Sequence, residues 1–105
     1  MNWYEKIVSV HTAVTDSVSH GHRMKSDRYF VWQEEGSDSF DADNHHCEAA
    51  ISGTTDLFTT LEFDPWKAAF EAQLDACADI VWSLNSIQFE EDRGIWHYEW
   101  LWSVV

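Results

Sequence analysis

From Ile95 to Val104 the chain alternates: Trp96, Tyr98, Trp100, Trp102 and Val104 fall on one side of an extended backbone and His97, Glu99 and Ser103 on the other, with Leu101 the one apolar residue on the polar side. A period of two is the repeat of a strand buried on one face. A face carrying three Trp and a Tyr needs a substantial apolar layer packed against it. A second strand, Ile80 to Glu90, precedes it, and Glu91-Asp92-Arg93-Gly94 joins the two with a glycine that can take the positive φ of a hairpin turn.

The other elements follow from the same reading of period. Trp3, Ile7, Val8, Val10, His11 and Val14 recur at three- and four-residue spacing, which predicts an amphipathic helix. Thr15 to His22 is polar and contains Gly21, so a loop is expected there. Tyr29 to Gln33 is β-branched or aromatic and reads as a strand. Gly36 to Asn44 is rich in Asp, Ser and Asn, which bond their own backbone, and reads as an exposed acidic loop. Cys47 to Leu61 alternates as a long strand in which Gly53 marks a bulge or a close backbone approach. Asp64-Pro65 suits a helix start, and Trp66, Ala69, Phe70, Leu74 and Cys77 form an apolar stripe up to about Asp79. The order α-β-β-α-β-β predicts an α+β fold: a four-stranded, largely antiparallel sheet with both helices on one face.

A chain of 105 residues suits one domain spanning residues 1–105. Its charge is −13, from six Lys and Arg against nineteen Asp and Glu, which disfavours a phosphate backbone or an anionic membrane as a direct partner. Met1-Asn2-Trp3-Tyr4-Glu5-Lys6 lacks the basic-then-apolar layout of a signal peptide, so residence in the cytoplasm is expected. Cys47 and Cys77 are then expected as free thiols.

Site chemistry is sparse. His45-His46-Cys47, with His20 and His22 nearby, holds zinc-type ligands, but neighbours on a strand point to opposite faces and no metal-binding spacing is present. Neither cysteine lies in a nucleophile signature, and Cys77 sits on an apolar stripe. The runs Glu34-Glu35 and Glu90-Glu91-Asp92 lie at strand ends, where charge is ordinarily solvated. No phosphate-cradling or nucleophile-elbow motif occurs. No catalytic, cofactor-binding or metal-binding residue is assigned, no cofactor is expected, and the chain is read as non-enzymatic.

What the sequence has in excess is aromatic bulk. Seven Trp are many for a two-layer domain with one sheet face open, and aromatics are enriched at interface cores. Phe40, Trp96, Trp100 and Trp102 are therefore the candidate interface residues.

Four segments carry a resemblance: Tyr29 to Gly36, Ile51 to Thr59, Phe63-Asp64-Pro65, and Leu84 to Trp100. They resemble small prophage proteins of Gram-positive bacteria, and through them the tail-terminator, tail-completion and head–tail joining proteins of long-tailed phages. The resemblance runs from Trp3 to Val104. It implies an α+β sheet with helices on one side and assembly into a hexameric ring on the tail tube, with copies of the chain itself and tail-tube or neck proteins as partners. It implies synthesis in the host cytoplasm and residence in the virion, and it brings no active-site residue. Gly36 to Asn44 would then be a lumen-facing or partner-binding loop. Two alternatives belong to other classes: a small acidic monomeric domain that binds or inhibits a host protein, and a metal-dependent hydrolase or sensor built on His45, His46 and Cys47.

Overall fold

The computed structural model describes residues 1–38 and 50–105. Phe40, His45, His46 and Cys47 lie outside them, as does most of the expected acidic loop. The described residues form seven elements: α1 (Trp3–Thr12), β1 (Val18–His20), β2 (Arg28–Asp38), β3 (Ala50–Thr59), α2 (Trp66–Ala76), β4 (Ile80–Glu90) and β5 (Ile95–Val104).

Helix α1 begins with a reciprocal cap. The Asn2 side chain accepts the Glu5 N–H at 2.9 Å, and the Glu5 carboxylate accepts the Asn2 N–H at 3.2 Å, so free donors of the first turn find partners. At α2 the N-cap is Pro65, and Asp64 before it satisfies one donor of the first turn, accepting the Trp66 N–H at 2.8 Å. The hairpin turn between β4 and β5 places Gly94 at φ +65°.

The sheet corrects the four-stranded, antiparallel expectation: it has five strands and is mixed, in the order β1-β2-β3-β5-β4. The additional strand is β1, which runs parallel to β2 in the register Val18↔Phe30 to His20↔Trp32. Polar residues gave it no periodic signal. It exists because the turn after α1 carries the backbone alongside β2, where Phe30 donates its N–H to Ser17 and Gly21 donates its N–H to Trp32. The expected acidic loop also begins later than Gly36, because β2 continues through Asp38 in pairing with β3.

Both helices lie on one face. Ile7 and Val10 of α1 and Phe70 and Leu74 of α2 pack with Phe30, Trp32, Leu57, Tyr98, Trp100, Trp102 and Val104 of the sheet in a single buried cluster. Burying these side chains is the main favourable term, at about 1.5–3 kcal/mol for each large one. All seven Trp belong to this cluster or pack against it.

Two bulges reset the pleat. One lies at Glu35 in β2, where the register passes from Glu34↔Gly53 to Gly36↔Ser52. The other lies at Asn85 in β4, between Leu84↔Trp100 and Ser86↔Glu99. Before Asn85 the helix side of β4 holds Ile80, Trp82 and Leu84. After it the helix side holds Ile87 and Phe89, opposite Tyr98 and Trp96.

Candidate assembly surface

The site begins with an ion pair. Arg28, at the start of β2, reaches Asp64, in the loop between β3 and α2, through two bonds: Nε to Oδ2 at 2.8 Å and Nη2 to Oδ1 at 2.5 Å. The guanidinium also lies 3.7 Å above the Trp66 ring, a stacked cation–π arrangement that Arg's planar fork permits. Asp64 is buried. Burial pushes its carboxyl up, but hydrogen bonds from Arg28, the Trp66 N–H and Thr59 outweigh that and hold it below the ordinary carboxylate range. This pair pins the β3–α2 loop.

The pinned loop presents Phe63. Its φ is +56°, the left-handed region that a bulky L residue occupies at a cost, and its side chain is 86% exposed. Beside it runs a largely apolar groove of about 400 Å³, whose lining includes Phe63, Ile87, Trp96 and Tyr98 together with the charged Glu62, Asp64 and Lys67. Ile87 and Phe89 are each 46% exposed; the Asn85 bulge turns them to the helix side, where the start of α2 covers them only in part. Phe89 meets Trp96 at a ring separation of 4.9 Å. An apolar groove rimmed by a strained aromatic suits binding of another apolar surface.

The open face of the sheet is partly closed by the chain itself. Tyr29, Val31, Phe58 and Ile95 form a second buried cluster there. His97 stacks on Phe58 at 4.3 Å, and Arg23 and Arg93 lie 5.0 and 5.6 Å from the same ring. His97 donates from Nε2 to Asp56 at 2.8 Å, and its Nδ1 lies 3.2 Å from Glu90. The Asp56 hydrogen bond, acting against burial and helped by the charges of Asp56, Glu90 and Glu99, raises the imidazole above its ordinary value. With a carboxylate against each ring nitrogen, His97 ties Asp56 of β3 to Glu90 of β4 across the face.

Of the candidate interface residues, Trp100 and Trp102 are 0% and 2% exposed within this chain's own core. Trp96 is half-buried on the groove wall, and Phe40 is outside the described residues. The exposed apolar side chains instead include Phe63, Val81, Ile87 and Phe89. One sequence signal points to them: the apolar positions of β4 change phase, from Ile80, Trp82 and Leu84 to Ile87 and Phe89. Of the other candidates, His20 pairs with Glu34 at 2.7 Å, Glu90 pairs with Arg93 at 2.9 Å, and Cys77 is a half-buried free thiol. Among the described residues, no three His, Cys, Asp or Glu are placed to hold a metal ion, and no helix is long and apolar enough to cross a membrane.

No protein-family model matches the chain, and no curated protein sequence does. Among solved structures, the fold is similar to that of a chain in the virion of the native gene transfer agent (GTA) particle. The TM-score is 0.56 and the identity 17%, over 96% of this chain and 88% of that one. The two share a fold across nearly their whole lengths.

Proposed function

We propose that this chain is a non-enzymatic structural protein of a phage-like particle, and within that class a tail-terminator or tail-completion protein that closes into a ring on the tail tube. The observation that carries the proposal is the end-to-end fold likeness to a chain of the GTA virion, which agrees with the resemblance borne by Tyr29 to Gly36 and Leu84 to Trp100. Its partners would be copies of itself and tail-tube or neck proteins. It would be made in the host cytoplasm and carried in the virion. An acidic ring suits a channel through which DNA must pass without adhering, since like charges repel along its length.

The exposed Phe63 and its groove also favour a second reading, in which a monomer captures a host protein by inserting an apolar segment there. Particles released by cells carrying this gene separate the two. The proposal expects the chain to copurify with intact particles in a fixed ratio to the tail-tube protein, and label against it to mark the head–tail junction in electron micrographs. Its absence from purified particles, with the soluble chain held by a host protein, would favour the capture reading.

A further inference from the structure

Strand β4 is an edge of the sheet: β5 pairs with it on one side, and no strand among the described residues pairs with it on the other. A free edge offers a row of unpaired N–H and C=O groups, and proteins that stay monomeric blunt such edges with charge, proline or a covering segment. Here no residue from Ile80 to Phe89 is charged or proline, in a chain of which 24% is charged. Val81 is 74% exposed on the open-face side, and Ile87 and Phe89 project on the helix side beside the Phe63 groove. The Asn85 bulge redirects side chains without covering the edge. Among the described residues the opposite edge is also incomplete, because β1 covers β2 only from Phe30 to Trp32.

We infer that a second copy of this chain docks on β4 and its adjoining groove, pairing the Gln33–Asp38 end of its β2 with the β4 edge; the inference rests on the assembly reading above. Three observations select a copy as the occupant. The two incomplete edges lie on opposite sides of one sheet, so every copy carries both halves of a head-to-tail contact, as a ring requires. Successive antiparallel pairings leave β4 running opposite to β2, so rotation about an axis along the strands sets the two edges antiparallel. Charge also restricts the contact. Copies at −13 each repel, and β4 carries no charge from Ile80 to Phe89, so on that stretch Glu34 and Glu35 would meet polar neutral side chains such as Ser83, Ser86 and Gln88.

Hydrogen exchange and light scattering on the full chain, across protein concentration at high salt, test this. As the mass rises, amides in β4 and in 33–38 should slow at least about tenfold, the mark of a newly paired edge. The double variant Val81→Lys, Ile87→Lys should remain at monomer mass with unchanged circular dichroism, while Val8→Lys on the outer side of α1 should assemble like the parent. A rising mass with β4 amides exchanging as in the monomer would overturn the inference and leave the ring reading standing. A mass that never rises would also overturn it, and particle localisation would then judge the ring reading separately. The exchange experiment on the parent chain decides the matter even where the double variant does not fold.

Discussion

His11 is fully buried on α1 between the helix and the sheet. Its Nδ1 lies 2.7 Å from the Ile7 carbonyl, which can only accept, so that nitrogen carries the proton. Nε2 then accepts from the Thr55 hydroxyl at 2.9 Å, and Thr55 in turn accepts the Trp102 indole N–H at 2.9 Å. The chain of donors runs one way and needs a neutral ring. Burial accordingly lowers the imidazole to about 4, although the bond to Ile7 works in the other direction. In the unfolded chain the ring titrates near 6.5, so between those values the unfolded state holds more protons and stability falls as pH falls. At about 1.4 kcal/mol per pH unit, acidification from pH 6.5 to 4 should remove about 3 kcal/mol. His97 acts on the other flank, because its raised value supplies stability that is complete below the unfolded value and lost as pH rises through the folded one. Denaturant midpoints against pH should show both arms. His11→Phe should abolish the loss between pH 6.5 and 4 alone, leaving the loss below pH 4 that the lowered Asp64 carboxyl contributes, and a loss between 6.5 and 4 surviving that variant would mean that another group causes it. Thr55→Val strands two buried polar groups and should cost about 3 kcal/mol at neutral pH by the same measurement.

Gly53 shows how one residue shapes an element. A Cβ there would stand 2.5 Å from the Trp102 ring and 2.3 Å from the Gln33 carbonyl. The backbone atom cannot give way cheaply, since β2 and β3 are paired on both sides of the contact. Gly53→Ala should therefore destabilise the fold by about 2–3 kcal/mol, beyond what overpacking a yielding side chain would cost. A drop in thermal midpoint checks this, and an unchanged midpoint would show that both the Gln33 carbonyl and the Trp102 ring have room to move. The sequence pattern marked Gly53 as a bulge or close approach, and the contact with Trp102 explains why. The bounds of β4 and β5 were equally legible, because strong alternation and a turn glycine set them locally. β1 was not: Val18, Ser19 and His20 owe their strand to β2 alone, and pairing with a distant partner leaves no period in three residues. The interface reading followed aromatic bulk, yet Trp100 and Trp102 are covered by α1 and α2. Exposure at Ile87 and Phe89 depends on the phase change at Asn85, and on α2 covering that part of the helix side only in part. The first is visible in the pattern, whereas the second is a three-dimensional fact.

At the scale of the molecule, charge opposes what the apolar surface favours. Each copy carries −13, and four of its six cationic side chains, Lys6, Arg28, Lys67 and Arg93, are already engaged with Asp79, Asp64, Glu71 and Glu90. Association therefore brings together acidic bodies, and the repulsion extends over the Debye length, about 30 Å at 0.01 M salt and about 8 Å at 0.15 M. A contact through a neutral strand edge and an apolar groove gains little from cross-subunit ion pairs, so salt has only repulsion to screen. Self-association should accordingly strengthen as salt rises, the reverse of complexes held by opposite charge. Mean mass by light scattering, at fixed protein concentration, should climb from about 0.01 to about 0.15 M salt and change less beyond, once screening has shortened below the subunit spacing. Mass that instead falls with salt would mean that attractive ion pairs dominate the contact. The basic loop bearing Arg23 and Lys25 would then become the surface to mutate, because it holds the cations closest together in the chain.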